Sequence, residues 1–113
     1  MTVLANTRYQ TVPYVLTNGS KTSVYTCPTG VWSDIINVNV CASAGSAGTI
    51  TLIFYNASDT VEYTLTYQDT VPAGGSLDVP FYPLHMEPGD ILKATGAADQ
   101  HLIITMIEQG RGA

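Results

Sequence analysis

The sequence predicts an all-β fold, an antiparallel β-sandwich of about eight strands for which jelly-roll connections are one option. Apolar and polar residues alternate along many short segments, as they do where one face of a strand is buried. Turn-forming residues interrupt these segments at a spacing of roughly ten residues, which is typical of sandwiches and barrels. No segment has the 3.6-residue periodicity of an amphipathic helix.

The alternating segments define the strands. Val61, Tyr63, Leu65 and Tyr67 alternate with polar residues, so one face of this segment is expected to be apolar and the other polar. The same period of two recurs along the chain and predicts strands at residues 9–16, 21–27, 32–41, 48–55, 60–67, 75–81, 90–95 and 101–108.

The breaks between the strands have the composition of turns. Glycine supplies positive φ, proline fixes φ, and asparagine or aspartate folds back on its own backbone. These residues cluster at Asn18-Gly19 and at 28–30, 43–48, 56–59, 72–75, 88–90 and 96–99.

Two strands carry information about their place in a sheet. Pro13 has no N–H to donate, which favours an edge position or a bulge for the first strand. The last strand is apolar on both faces, with Leu102, Ile104 and Met106 on one and Ile103 and Ile107 on the other. Such a strand is expected to be central in its sheet and covered on both sides, or to lie at a subunit contact.

The composition fits one small domain that docks onto other protein. The 113 residues are 45% hydrophobic, enough for a core without metal or disulfide staples. Only 12% are charged, about half the usual share, so few charges need desolvating when surfaces meet. We expect a single domain over residues 1–113, with an N-terminal arm at 1–8 and a C-terminal tail at 109–113.

The charge excludes several partners. The net charge is −5, and the four basic residues cannot neutralise a run of phosphates, so no nucleic acid and no anionic membrane is expected as a partner. The segment MTVLANTRYQ has no basic start and no long apolar stretch, so we expect folding in a cytoplasm.

We expect no enzyme, no cofactor and no metal. His85 and His101 are the only histidines, no nucleophile motif accompanies either, and two isolated histidines do not make a metal site. We interpret the carboxylates as caps of turns or as solvated groups on the surface. Cys27 and Cys41 are expected to be free thiols, with a disulfide between neighbouring strands as the alternative.

The seven tyrosines exceed what a small core needs. They favour core packing with the hydroxyl at the surface, or anchoring at protein contacts. A sugar-binding platform built from Trp32, Tyr55 and Tyr82 is a third interpretation. As candidate interaction residues we select Tyr9, Tyr14, Trp32, Tyr55 and Tyr82.

Four segments in one order carry a family resemblance. They are VYTCPTG (24–30), VNVC (38–41), VPAGGSL (71–77) and PLHMEPGDILKAT (83–95). With the final apolar strand, they resemble small β-sandwich virion proteins of tailed bacteriophages over residues 20–108. Thr29 stands where the family pattern has Ala.

The resemblance implies a structural protein of the virion with no catalytic residues. The first expectation is a capsid cement or decoration protein on the capsid surface. It would be a homo-oligomer, with a trimer favoured, and would bind across joints of the major capsid protein and stabilise the head. Its N-terminal arm would reach a neighbouring subunit. The alternatives are a tail, neck or fibre component, or a carbohydrate- or receptor-binding module.

Overall fold

The computed structural model describes residues 6–17, 19–42 and 47–110. These ranges contain eight strands and no helix, which confirms the all-β prediction. The strands are β1 (Asn6–Val15), β2 (Thr22–Thr26), β3 (Val31–Ala42), β4 (Gly48–Asn56), β5 (Val61–Val71), β6 (Ser76–Met86), β7 (Ile91–Gly96) and β8 (Gln100–Gly110).

The strands form two antiparallel four-stranded sheets. The first sheet has the order β1-β8-β3-β6 and the second has the order β2-β7-β4-β5. β4 pairs with β5, β3 with β6, β2 with β7 and β1 with β8. The chain is thus one long hairpin with its tip at the β4–β5 turn, rolled up so that β3 also meets β8 and β4 meets β7. This nested order is a jelly roll, the option that the sequence left open.

The core lies between the two sheets and takes alternate residues from each strand. Leu102, Ile104 and Met106 are fully buried along β8. Burying a side chain of this size contributes about 1.5–3 kcal/mol. The buried apolar residues are Leu16, Val24, Tyr25, Cys27, Ile35, Val38, Val40, Ala42, Ile50, Leu52, Val71, Met86, Leu92, Ala94, Leu102, Ile104 and Met106.

β6 runs further than the sequence predicts, to Met86 instead of residue 81. Pro80 and Pro83 lie within it, and the Tyr82–Pro83 peptide is cis. The strand tolerates both prolines because it is an edge strand that pairs only with β3, so an N–H on its open side is not needed. Its pairing shifts between Ile35 and Asn37, leaving residues 81–83 in a bulge.

The two predictions about strand position have different outcomes. β1, which carries Pro13, is an edge strand as predicted. β8 is central between β1 and β3, also as predicted, but only its inner face is covered. On its outer face Ile103 is 37% exposed.

Both ends of the described chain lie at the same end of the sandwich, where Asn6 pairs with Gly110. We call this the terminal end. Because β1 begins at Asn6 and β8 ends at Gly110, residues 6–8 of the expected arm and 109–110 of the expected tail are part of the first sheet. Residues 1–5 and 111–113 lie outside the described residues, as do Asn18 and 43–46 of the predicted turns.

The turns at the terminal end are tied together by Asp90, which is buried. Its carboxylate accepts the N–H groups of Ala57 and Glu87, each at 2.9 Å. Gly89 beside it has φ +92° and packs against Ala57, a conformation that favours glycine. These contacts hold the β4–β5 turn against the β6–β7 turn.

Candidate interaction surfaces

An apolar strip runs along the outer face of the first sheet. In the register of β1 and β8, Tyr9 faces Ile107, Pro13 faces Ile103 and Val15 faces His101, and the pair Thr11–Thr105 lies between the first two. Residues that face each other in antiparallel strands point to the same side of the sheet. We call Tyr9, Pro13, Val15, Ile103 and Ile107 the β1–β8 strip. None of its side chains is charged, and Tyr9 is 78% exposed.

The other half of this face is polar. Asp78 on β6 accepts hydrogen bonds from the amides of Asn39 at 2.8 Å and Asn37 at 3.3 Å, and these bonds lower the pKa of its carboxyl group. Asp34 and His85 form a second pair, with Oδ1 and Nδ1 2.7 Å apart. The outer face of the first sheet therefore combines an apolar half with a hydrogen-bonded polar half.

A second apolar surface follows β5, the edge strand of the second sheet. The alternation of Val61, Tyr63, Leu65 and Tyr67 predicted one apolar face, but only Leu65 packs against the core. Val61, Tyr63 and Tyr67 are exposed, Tyr67 to 69%; we call these three the β5 edge. Tyr63 donates its hydroxyl proton to Asp59 Oδ2 at 2.8 Å.

The outer face of the second sheet is occupied by its own ion pairs. Glu62 accepts from Lys21 Nζ and from Lys93 Nζ, each at 2.7 Å. These two ammonium groups lower the pKa of Glu62. Lys93 Nζ also lies 4.9 Å from the centre of the Tyr55 ring, within the range of a cation–π interaction. The polar groups here are satisfied within the chain.

The terminal end holds a buried polar network. Glu108, 5% exposed, accepts from Arg8 Nε at 3.2 Å and Nη2 at 3.0 Å through one oxygen. Its other oxygen accepts from the Tyr25 hydroxyl at 2.8 Å, which also lies 2.5 Å from Ser33 Oγ. Burial raises the pKa of Tyr25 far above its usual value. The network ties β2 of the second sheet to β1, β3 and β8 of the first.

This end also has a shallow pocket of about 220 Å³, lined by Arg8, Val31, Glu108 and Gly110. Its one carboxylate is already paired with Arg8 and Tyr25. A second acid, which hydrolysis of a glycosidic bond requires, is not among the residues that line it.

Both cysteines are free thiols, as the sequence favoured. The Cys27 thiol is buried and donates to the Val31 carbonyl at 3.2 Å, and burial raises its pKa. Cys41 is half-buried at the far end of β3. Within residues 6–17, 19–42 and 47–110 we find no cluster of three or more histidine, cysteine or acidic side chains suited to a metal ion. Nor does that part of the chain contain a helix that could cross a membrane.

The five candidate interaction residues lie in different places. Tyr9 belongs to the β1–β8 strip, and Tyr82 is fully exposed in the bulge of β6. Tyr14 is half-buried and packs against the core. Trp32 and Tyr55 are half-buried on the outer faces of opposite sheets. Trp32, Tyr55 and Tyr82 therefore do not assemble into one platform, which removes the geometry on which the sugar-binding interpretation depended.

The structure adds surface residues that the sequence analysis did not select. Val15 and Ile103 complete the strip around Tyr9, and Tyr63 and Tyr67 form most of the β5 edge. The signal for Ile103 was present, since the last strand is apolar on both faces. Nothing in the sequence distinguishes the exposed Tyr67 from the buried Tyr25, because exposure depends on which strand lies at an edge.

In sequence comparisons, no protein-family model and no curated protein matches the chain. Solved structures share its fold at low identity. A protein of Bacillus endospore appendages, described as disulfide-linked pili, has a TM-score of 0.61 at 13% identity, covering 99% of this chain and 93% of that one. A capsid chain of a Helicobacter pylori bacteriophage has a TM-score of 0.50 at 9% identity, covering 95% and 90%.

A chain of the infectious bursal disease virus particle has a TM-score of 0.52 at 11% identity. The similarity covers 95% of this chain and 36% of the viral chain. These three neighbours are components of pili and virus particles, not enzymes. At these identities they establish the fold, which this chain shares with structural proteins of phages and other viruses.

Proposed function

We propose that this chain is a non-enzymatic structural protein of a bacteriophage particle, and that it serves as a cement protein on the capsid surface. The observation that carries the proposal is a jelly roll whose first sheet leaves its apolar outer strip open. Three large apolar side chains of this strip, Tyr9, Val15 and Ile103, are exposed, and exposed apolar groups gathered on one face are typical of a surface that another protein covers. The fold shared with capsid chains and the resemblance to phage virion proteins support the same role.

In this proposal the sandwich body forms a homo-oligomer and the terminal end faces the major capsid protein. Residues 1–5, MTVLA, directly precede Asn6 in the sequence and are mostly apolar. An oligomer would present several such segments together, and simultaneous binding raises avidity without strong single contacts. Each bound copy would then stabilise the shell by mass action.

The test is binding of a shortened chain to purified phage heads that lack this protein. A deletion of residues 1–5 leaves every strand intact, whereas a deletion of 1–8 also removes the Arg8–Glu108 pair and three positions of β1. We expect the first deletion to lower the affinity for heads by at least about 100-fold, because every copy of the oligomer loses its arm and with it the avidity, without changing thermal unfolding. If the shortened chain occupies the heads as fully as the whole chain does, the arm does not contribute to binding.

Binding of the full chain is the more general measurement. Heads saturated with it should withstand higher temperature than bare heads. If the full chain neither binds heads nor raises their stability, the cement role is wrong.

A tail, neck or fibre component is the second candidate. The likeness to a pilus protein over nearly the whole of both chains favours it. Quantitative mass spectrometry of purified virions separates the two roles, since a cement protein is present in many copies over the shell and a tail part in few.

A carbohydrate- or receptor-binding module is the third alternative. It now lacks a shared aromatic platform, because Trp32 and Tyr55 lie on opposite sheets. Binding on a glycan array that is lost in Tyr82→Ala would restore it.

A further inference from the structure

A cysteine and a histidine stand side by side on the outer face of the first sheet. Cys41 on β3 and His101 on β8 are direct partners in the strand register. Val40 before the cysteine and Leu102 after the histidine are fully buried. Because successive residues of a strand alternate, Cys41 and His101 both point to the outer face, where Cys41 is half-buried and His101 is exposed. The pair exists only because β3 pairs with β8, and no sequence motif signals it.

The spacing of the pair suits two ligands of one metal ion. Opposite residues of antiparallel strands have Cβ atoms about 4.5–5.5 Å apart. Zinc binds a cysteine sulfur at about 2.3 Å and a histidine nitrogen at about 2.0–2.1 Å, so the two ligand atoms of a tetrahedral site lie roughly 3.5 Å apart. Sγ and the imidazole ring extend beyond Cβ on the same side of the sheet, and rotation about the side-chain bonds brings them to this separation.

The second cysteine and the second histidine of the chain are engaged elsewhere. The Cys27 thiol is buried and donates to the Val31 carbonyl at 3.2 Å. Nδ1 of His85 lies 2.7 Å from Oδ1 of Asp34. The cysteine and histidine that face solvent as a pair are therefore those on β3 and β8, and Cys27 and His85 serve as matched controls.

The charge near the pair favours a cation. Cys41 faces Ser76 on β6 and Asn39 faces Asp78, so Asp78 is a diagonal neighbour of Cys41. The net charge of the chain is −5, which attracts cations to the surface. The basic side chains that the structure describes pair with carboxylates away from this position, Arg8 with Glu108 at the terminal end and both lysines with Glu62 on the second sheet.

The ligand atoms select the class of metal. A thiolate and an imidazole suit zinc and similar divalent ions, whereas calcium and magnesium prefer oxygen. No third histidine, cysteine or acidic side chain joins the pair in the part of the chain that the structure describes. Two positions of a tetrahedral ion thus stay open, and water fills them as it fills the open position of other zinc sites.

We propose that Cys41 and His101 chelate one divalent ion of the zinc type across β3 and β8, with water at the two remaining positions. The thiol proton passes to solvent when Sγ binds the ion. The folded chain alone brings the two ligands together, so bound metal stabilises it by mass action. This inference goes beyond the proposed structural role and does not depend on it.

The test titrates the full chain with Co²⁺ and Zn²⁺ in a non-thiol reductant, which keeps Cys41 reduced. Co²⁺ should give the charge-transfer absorption of a cobalt–thiolate bond, and Zn²⁺ should displace it at one ion per chain. Cys41→Ala and His101→Gln should each weaken binding by at least about tenfold, the smallest loss that even an outer partner of a metal site causes. Zn²⁺ should raise the melting temperature of the wild type and of neither variant.

The matched controls are Cys27→Ala and His85→Gln, which retain the pair and should bind both ions like the wild type. Cys41→Ser is a second, smaller change at the same position and should weaken binding in the same direction as Cys41→Ala. Because Cys41 and His101 lie on the outer face, their variants should melt close to the wild type when no metal is present. That measurement separates loss of the metal from loss of the fold.

Three results would overturn the inference. The first is a wild-type chain that binds neither ion at about millimolar concentration, where even weak specific sites fill. The second is Co²⁺ binding that His101→Gln leaves unchanged, since Cys41 would then be a single ligand and not part of a chelate. The third is a folded His85→Gln chain that loses binding as fully as His101→Gln, which would place the ion at the other histidine. None of these results bears on binding to phage heads.

Discussion

The two sheets bury similar inner faces but have different outer faces. On the second sheet the charged groups pair with one another, Lys21 and Lys93 with Glu62, and Lys93 lies over Tyr55. On the first sheet no such ion pairs lie over the β1–β8 strip, and Tyr9 and Ile103 are exposed to solvent. The comparison shows that an outer face with satisfied contacts stabilises the single chain, whereas an open apolar face is available for another protein.

The largest expected effect is a difference in the free energy of unfolding between substitutions on the inner and on the outer face of β8. Ile104 is fully buried and Ile103 is its exposed neighbour on the same strand. Ile104→Ala should lower the free energy of unfolding by about 2–5 kcal/mol, because it removes buried methyl groups and leaves a cavity. Ile103→Ala should change it by about 0.5 kcal/mol or less in the dissociated protein. Urea denaturation at a concentration where the chain is monomeric measures both, and equal losses would contradict the assignment of the two faces.

A smaller effect is expected where the two sheets are joined. Tyr25→Phe removes the hydroxyl that bonds to Glu108 and Ser33, and leaves buried acceptors with one partner fewer. The loss should be about 1–3 kcal/mol. Tyr9→Phe, which removes an exposed hydroxyl, is the control and should have no measurable effect.

The pH dependence of stability checks the same network. The folded-state pKa of Tyr25 is raised by burial, so this residue contributes full stability below the usual tyrosine pKa of about 10. The contribution decreases as the pH rises above that value, because the unfolded chain ionises first. Tyr25→Phe should make the decline in alkaline solution shallower, and an unchanged slope would exclude Tyr25 as a cause.

The smallest effect concerns the outer face of the second sheet. The pKa of Glu62 is lowered by Lys21 and Lys93, so its contribution is present above the usual glutamate pKa and is lost as the pH falls through the lower folded value. Glu62→Gln should reduce the melting temperature slightly at neutral pH and not in acid. Because exposed ion pairs are screened, the difference should shrink in high salt; a salt-independent difference would point to packing instead.

Much of the secondary structure could be predicted because its causes are local. The alternation predicted the bounds of all eight strands to within a few residues, except for the start of β1 and the last residues of β5 and β6. The alternation in β6 was followed only to residue 81, whereas the strand continues through Pro83 to Met86, because prolines are acceptable on an unpaired edge. The aromatic platform was wrong, because the sequence does not reveal that Trp32 and Tyr55 lie on opposite sheets. The five candidate interaction residues stay a prediction.

The sequence by itself determined that this chain forms short antiparallel strands around an apolar core, since side-chain periodicity and turn chemistry act over a few residues. The tertiary structure alone decided which strands lie at an edge and which side chains share a face. Tyr9 and Ile107 are almost a full chain length apart, and they become neighbours only because the rolled hairpin pairs β1 with β8. The open strip is therefore a product of long-range strand pairing, which no local pattern encodes.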